Sequence, residues 1–250
     1  MSHQPSERAA GHTGVRRELQ RQERRELEQQ AARFLKRLHL PLRVLDEFQR
    51  LKNFLILERK DAKSGTCLAF TSARPGEGVS FVTFHTAVSL AKGLEHTVLL
   101  VDANFKRPVL HKLFNNPNTV GLSDVLSAGV DTHRAIRPTY MPFLAFMPSG
   151  GPLLDPARFL RSPRFQQVLT ELRSRFDYVL FDTPNISQYA DCLVMGPKVD
   201  HILLVVRAHH TKRQVVEHAK EEIEKHGGKL LGVVLNRRQF FIPDLIYQYL

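Results

Sequence analysis

A chain of 250 residues, 42% of them hydrophobic, can bury the core of one large α/β domain and carry an extension besides. Its 36 Lys and Arg against 25 Asp and Glu leave a net charge of +11, which favours acidic partners such as nucleic acid, anionic lipid, phosphorylated ligands or an acidic protein face. No apolar run reaches the ~18 residues of a membrane span, no signal-peptide pattern opens the chain, and no zinc-finger or RNA-binding aromatic signature argues for nucleic acid.

Residues 1–14 are polar, with Gly, Ser, Pro and His, and are expected to be disordered. From 15 to 39 the chain is rich in Arg, Glu, Gln and Leu. Leu27, Ala31, Phe34 and Leu38 recur at helical spacing and form one apolar stripe among arginines. Such a helix either packs on its own domain or docks to a partner or an anionic membrane. Pro41 ends this segment, so 1–40 is read as a basic extension and 41–250 as the main domain.

A second helical pattern covers 44–57 and a polar turn covers 61–65. Strands and helices then alternate. The predicted strands are 67–71, 97–101, 143–147, 178–181, 201–206 and 230–235; the clearest helices are 80–92, 165–175 and 212–226. Several strands are continuous apolar runs, as in parallel strands covered on both faces, so the order predicts a doubly wound, mostly parallel sheet. Cys67 falls on a buried strand and Cys192 on a helix; neither has metal-site spacing, and a reduced, cytoplasmic setting is expected.

The loop ARPGEGVS, between the first strand and the helix after it, has the pattern of a phosphate-binding loop (P-loop). Ala73, Arg74, Pro75, Gly76, Glu77, Gly78, Val79 and Ser80 would wrap phosphate. Gly76 and Gly78 would let backbone N–H groups turn inward, and Ser80 would place a hydroxyl on magnesium. The usual lysine is absent: Val79 stands there, and the charge that would reach the β- and γ-phosphates of ATP is lost. Arg74, Lys92, Lys106 or Arg107 could replace it only if the fold brings one to the site. Two further landmarks, VLLVDANFKRP at 98–108 and YVLFDTP at 178–184, put Asp102 and Asp182 at strand ends, where α/β folds place ligands. Both carboxylates suit a metal-bound water, a magnesium ion or the attacking hydroxyl. Three such landmarks in this order point to a P-loop nucleotide fold.

The same segments, with GLSDVL at 121–126, the PSGG and DPARFLRS stretch of 148–162, ILLVVR at 202–207 and GVVLN at 232–236, resemble the bacterial tyrosine kinases of capsule and exopolysaccharide assembly. These are MinD-like P-loop proteins that work with a membrane polysaccharide copolymerase. The resemblance implies ATP and magnesium as cofactors, held by residues 73–80, Asp102 and Asp182. It implies a base contact from Asn236, phosphoacceptors at Tyr247 and Tyr249, and a cytoplasmic location at the inner face of the cell membrane through the partner. It also implies a homo-oligomer built on a helix motif, which here reads Asp46, Gln49 and Lys52 instead of Glu, Arg and Arg.

The departures are concentrated in the site. Val79 replaces the lysine, Asn104 replaces a second aspartate, Asn185 follows the DTP motif, and the terminal tyrosine cluster is reduced to Tyr247 and Tyr249. The sequence therefore suggests a degenerate kinase with ATP and magnesium binding weak or lost. Two alternatives are an active autokinase with a displaced lysine, Lys106 first, and a ParA/MinD-like positioning ATPase that holds DNA or membrane on a basic surface. The GLSDVL and DPARFLRS segments argue against the last.

Overall fold

The computed structural model describes residues 40–59, 64–92 and 96–238. The expected basic helix and the two tyrosines Tyr247 and Tyr249 lie outside the described residues.

Seven strands form one sheet: β1 (Thr66–Ser72), β2 (Val98–Asp102), β3 (Arg137–Pro138), β4 (Leu144–Met147), β5 (Tyr178–Asp182), β6 (His201–Arg207) and β7 (Leu230–Asn236). Their spatial order is β3-β4-β2-β5-β1-β6-β7, and every pairing is parallel except that of the edge strand β3. β2 and β5 are buried along their whole length, which is why they read as unbroken apolar runs.

The two-residue period of the strands divides them between two cores. Ala69, Leu99, Val101, Val179, Phe181 and Leu204 face one core, and Leu68, Phe70, Leu100, Leu180 and Leu203 face the other. On the second face lie α1 (Leu42–Glu58), through Phe48 and Leu55, and α2 (Val79–Lys92), through Val82, Phe84, Val88 and Leu90. On the first face lie α4 (Leu122–Ser127), α6 (Pro156–Arg161), α7 (Pro163–Arg175), α8 (Asp191–Met195) and α9 (Arg213–Lys225). Short helices α3 (Leu110–Leu113) and α5 (Thr132–Ala135) complete the chain between β2 and β3.

Local chemistry sets the boundaries. The DPARFLRSP stretch becomes two helices because it carries two start signals. Asp155 accepts from Arg158 N (3.2 Å) ahead of α6, Ser162 accepts from Phe165 N (3.3 Å) ahead of α7, and a proline opens each first turn. Thr97, expected inside a strand, lies just outside β2: its N–H and hydroxyl both donate to Asp177, at 2.8 Å each, and anchor the strand's entry. β3 was not foreseen, since two residues ending in proline carry no alternation to read.

Candidate functional site

The loop between β1 and α2 turns through Gly76 and Gly78, whose φ values of 80° and 92° belong to glycine. A side chain at Gly76 would meet nothing within 4 Å, so the space before the loop is open. A Cβ at Gly78 would come within 2.1 Å of the Asn236 amide nitrogen. That amide donates to the Glu77 carbonyl at 2.9 Å, and Asn236 Oδ1 accepts from Arg237 N. Asn236, the expected base contact, thus braces the loop from the end of β7.

Glu77 is itself buried, at 2% exposure. Its carboxylate accepts from Arg74 N (2.9 Å), from Arg207 N (3.3 Å) and from the Thr211 hydroxyl. The loop therefore carries its own buried acidic side chain, tied to one of its own N–H groups and to the end of β6. The sequence showed Glu77 as one loop residue among others; its burial was the missing signal.

Asp102 and Asp182 are register partners at the ends of β2 and β5, and both are fully buried. Asp102 accepts from Asn104 N (3.2 Å), Val109 N (3.1 Å) and Leu110 N (3.1 Å). Burial nevertheless pushes its carboxyl up to about 7. Both oxygens of Asp182 are buried without a hydrogen bond of good geometry among the described residues, although the Ser80 hydroxyl is close enough to favour its charged form. Burial first, then the charge of Asp102, raises the Asp182 carboxyl well above the usual range. Two adjacent buried carboxyl groups, those of Asp182 with both oxygens orphaned, beside a serine hydroxyl, form an all-oxygen donor set that fits a magnesium ion.

A cleft of about 230 Å³ opens over the loop. Residues 75–80 line one side; Asn104, Lys106, Arg107, Asn185, Gln188 and Tyr189 line the rest. Val79 lines this cleft and packs its side chain against the second core. The structure thus brings two of the four candidate substitute cations, Lys106 and Arg107, to the same cavity as the loop. Lys106 also acts on Asp191, a buried residue at the start of α8 whose carboxyl is raised by burial and partly restored by that ammonium.

Asn104 and Asn185 have turned to backbone work. Asn104 Oδ1 accepts from Arg107 N (3.1 Å); Asn185 Oδ1 accepts from the Ser187 hydroxyl (2.8 Å) and Gln188 N (3.2 Å). Each shapes a turn at the cleft wall.

Similarity to known proteins follows the same segments. The tyrosine-protein kinase CpsD of Streptococcus agalactiae is 36% identical over 176 residues, which cover 70% of this chain and 76% of that protein. The chain belongs to the bacterial tyrosine kinases. Another member of this kinase family, YwqD of Bacillus subtilis, is 34% identical over 68% of this chain and 71% of its own length. Among solved structures, the kinase domain of the Escherichia coli tyrosine kinase ETK superposes with a TM-score of 0.74 at 25% identity, over 79% of this chain and 78% of that one. The chimerical protein CapA2B2 gives 0.72 at 28% identity, over 78% and 85%. The MinD protein of Pyrococcus horikoshii, complexed with Mg-ADP, shares the fold at a TM-score of 0.57 and 19% identity, over 74% of this chain and 76% of that one. No family model matches the chain. Among the described residues, no helix is long and apolar enough to cross a membrane.

Proposed function

We propose that this kinase-family chain is degenerate, non-catalytic or weakly catalytic, and that it serves a capsule or exopolysaccharide assembly system beside a membrane polysaccharide copolymerase. The observation that carries this reading is Val79 in the cleft. Valine, half-buried against the second core, lines the cleft at the position where the family pattern has lysine. Losing a preorganised charge of that kind costs about 3 kcal/mol in rate.

The metal half of the site supports residual nucleotide binding. Ser80, Asp102 and Asp182 would hold magnesium, which supplies charge neutralisation at the phosphates when bound. Gly76 and Gly78 aim backbone N–H groups at the anion, and the first turn of α2 adds its partial positive charge. Asp182, whose burial raises its affinity for a proton, would otherwise accept one from an approaching hydroxyl.

One observation favours a second reading, an active autokinase: Lys106 lines the same cleft as the loop. Titration with Mg·ATP separates the two. The degenerate reading expects weak or undetectable binding by the wild type. Val79→Lys should tighten it by about 10- to 100-fold, the ~1.5–3 kcal/mol of a charge-assisted contact. Tight wild-type binding that Lys106→Ala abolishes would instead establish the displaced lysine.

A further inference from the structure

We propose that Asp191 is a positioning residue for Lys106: its carboxylate holds the ammonium at the α8 wall of the cleft, in competition with the phosphates of a bound nucleotide. This rests on the reading of the cleft as a nucleotide site, and not on whether that site is catalytic.

Asp191 is 4% exposed and opens α8. Its Oδ2 is buried without a hydrogen-bond partner among the described residues. A carboxylate taken out of water is costly unless hydrogen bonds or a cation answer it. The helix behind it is only five residues long and offers a weak N-terminal dipole. Asp155, the exposed cap of α6, works against it: one oxygen accepts from Arg158 N (3.2 Å), and its charge raises the Asp191 carboxyl further. The cation that favours the ionised form of Asp191 is Lys106.

The sheet explains how the two meet. β2 and β5 are neighbours, with Asp102 beside Asp182, so the segments that leave them form adjoining walls of one cleft. Lys106 lines the first wall; Gln188 and Tyr189 line the second, and Asp191 follows two residues later, buried behind it. The Lys106 side chain is exposed, has a long flexible stem and enters no hydrogen bond or close ion pair among the described residues. It stands between two anions, the buried carboxylate on one side and the phosphate space on the other. An ammonium drawn to Asp191 is lost to phosphate, so the candidate that could replace the missing lysine is engaged elsewhere.

A double-mutant cycle without nucleotide reads the pair. Lys106→Met and Asp191→Asn each remove a charge and keep the shape. In chemical denaturation Lys106→Met should lower the folding equilibrium constant about fivefold in the wild-type background and at most about twofold beside Asp191→Asn. A loss of the same size in both backgrounds would overturn the proposal and leave Asp191 serving the start of α8 alone. Should Asp191→Asn fail to fold, Lys106→Met by itself decides, because removing a merely solvated lysine leaves stability unchanged.

Titration with Mg·ATP tests the competition. Asp191→Asn should bind about tenfold tighter than wild type, and adding Lys106→Met should erase that gain. Val79→Lys is the control. If it binds and Asp191→Asn gains nothing over wild type, the competition is overturned while the nucleotide reading stands; if neither variant binds, the nucleotide reading falls and this proposal with it.

Discussion

Asp102 and Asp182 end neighbouring central strands of the sheet, and their shared burial gives the site its pH response. A carboxyl raised above its ordinary 3.8 binds its proton more readily folded than unfolded. Stability therefore falls as pH rises from about 4 through about 7, where Asp102 titrates, and the raised Asp182 carboxyl contributes in the same sense. His85, packed among Phe48, Phe81 and Phe84, is lowered to about 4 by burial and acts in the opposite sense, adding stability as pH rises from about 4 to 6.5. Comparing wild type with Asp182→Asn cancels the histidine. The Asn variant should melt higher than wild type at pH 8 and show little gain at pH 5. Equal shifts at both pH values would mean the pair does not titrate as coupled carboxyls. Magnesium should raise the wild-type melting temperature at pH 8 and leave Asp182→Asn unmoved.

The identities of these residues were legible in the sequence because strand-end carboxylates follow unbroken apolar runs. The environment of Asp102, three backbone N–H donors from residues up to eight positions later, was not. Nor was the task of Asn104 and Asn185: side-chain amides folding back on a turn leave no pattern beyond the residue type. Glu77 was least legible of all, since a glutamate in a loop is ordinarily solvated.

At the scale of elements, the loop and the end of β7 are one mechanical unit. Gly78→Ala would put a Cβ against Asn236 in a backbone conformation that L side chains avoid, and should cost about 2–3 kcal/mol. Gly76→Ala meets open space and keeps only the backbone penalty, about 1 kcal/mol. Chemical denaturation of the two variants should rank them in that order; equal losses would show that the Asn236 brace does not hold the loop. On the first face, Phe165 of α7 is fully buried against Phe181 of β5, so Phe165→Ala should lose about 3–5 kcal/mol. The six long strands were legible from their apolar runs. The short helices α4 and α6 were not, because six residues hold too little periodicity; their caps and packing decide them.

Over the whole molecule, the order β3-β4-β2-β5-β1-β6-β7 places three loops at one end of the central strands: the phosphate loop after β1, the Asn104–Arg107 turn after β2 and the Asn185 turn after β5. The sequence could identify each landmark, but only the strand order shows that they share a cleft and that Lys106 reaches it. That arrangement keeps the two carboxyl groups that the proposal gives to magnesium and puts valine where the family pattern has lysine. Autophosphorylation of the purified wild type with Mg·ATP, beside Val79→Lys, tests this most directly, with phosphotyrosine read by mass spectrometry. The account predicts little or no phosphotyrosine on the wild type and a gain in Val79→Lys; robust phosphotyrosine on Tyr247 or Tyr249 of the wild type alone would contradict it.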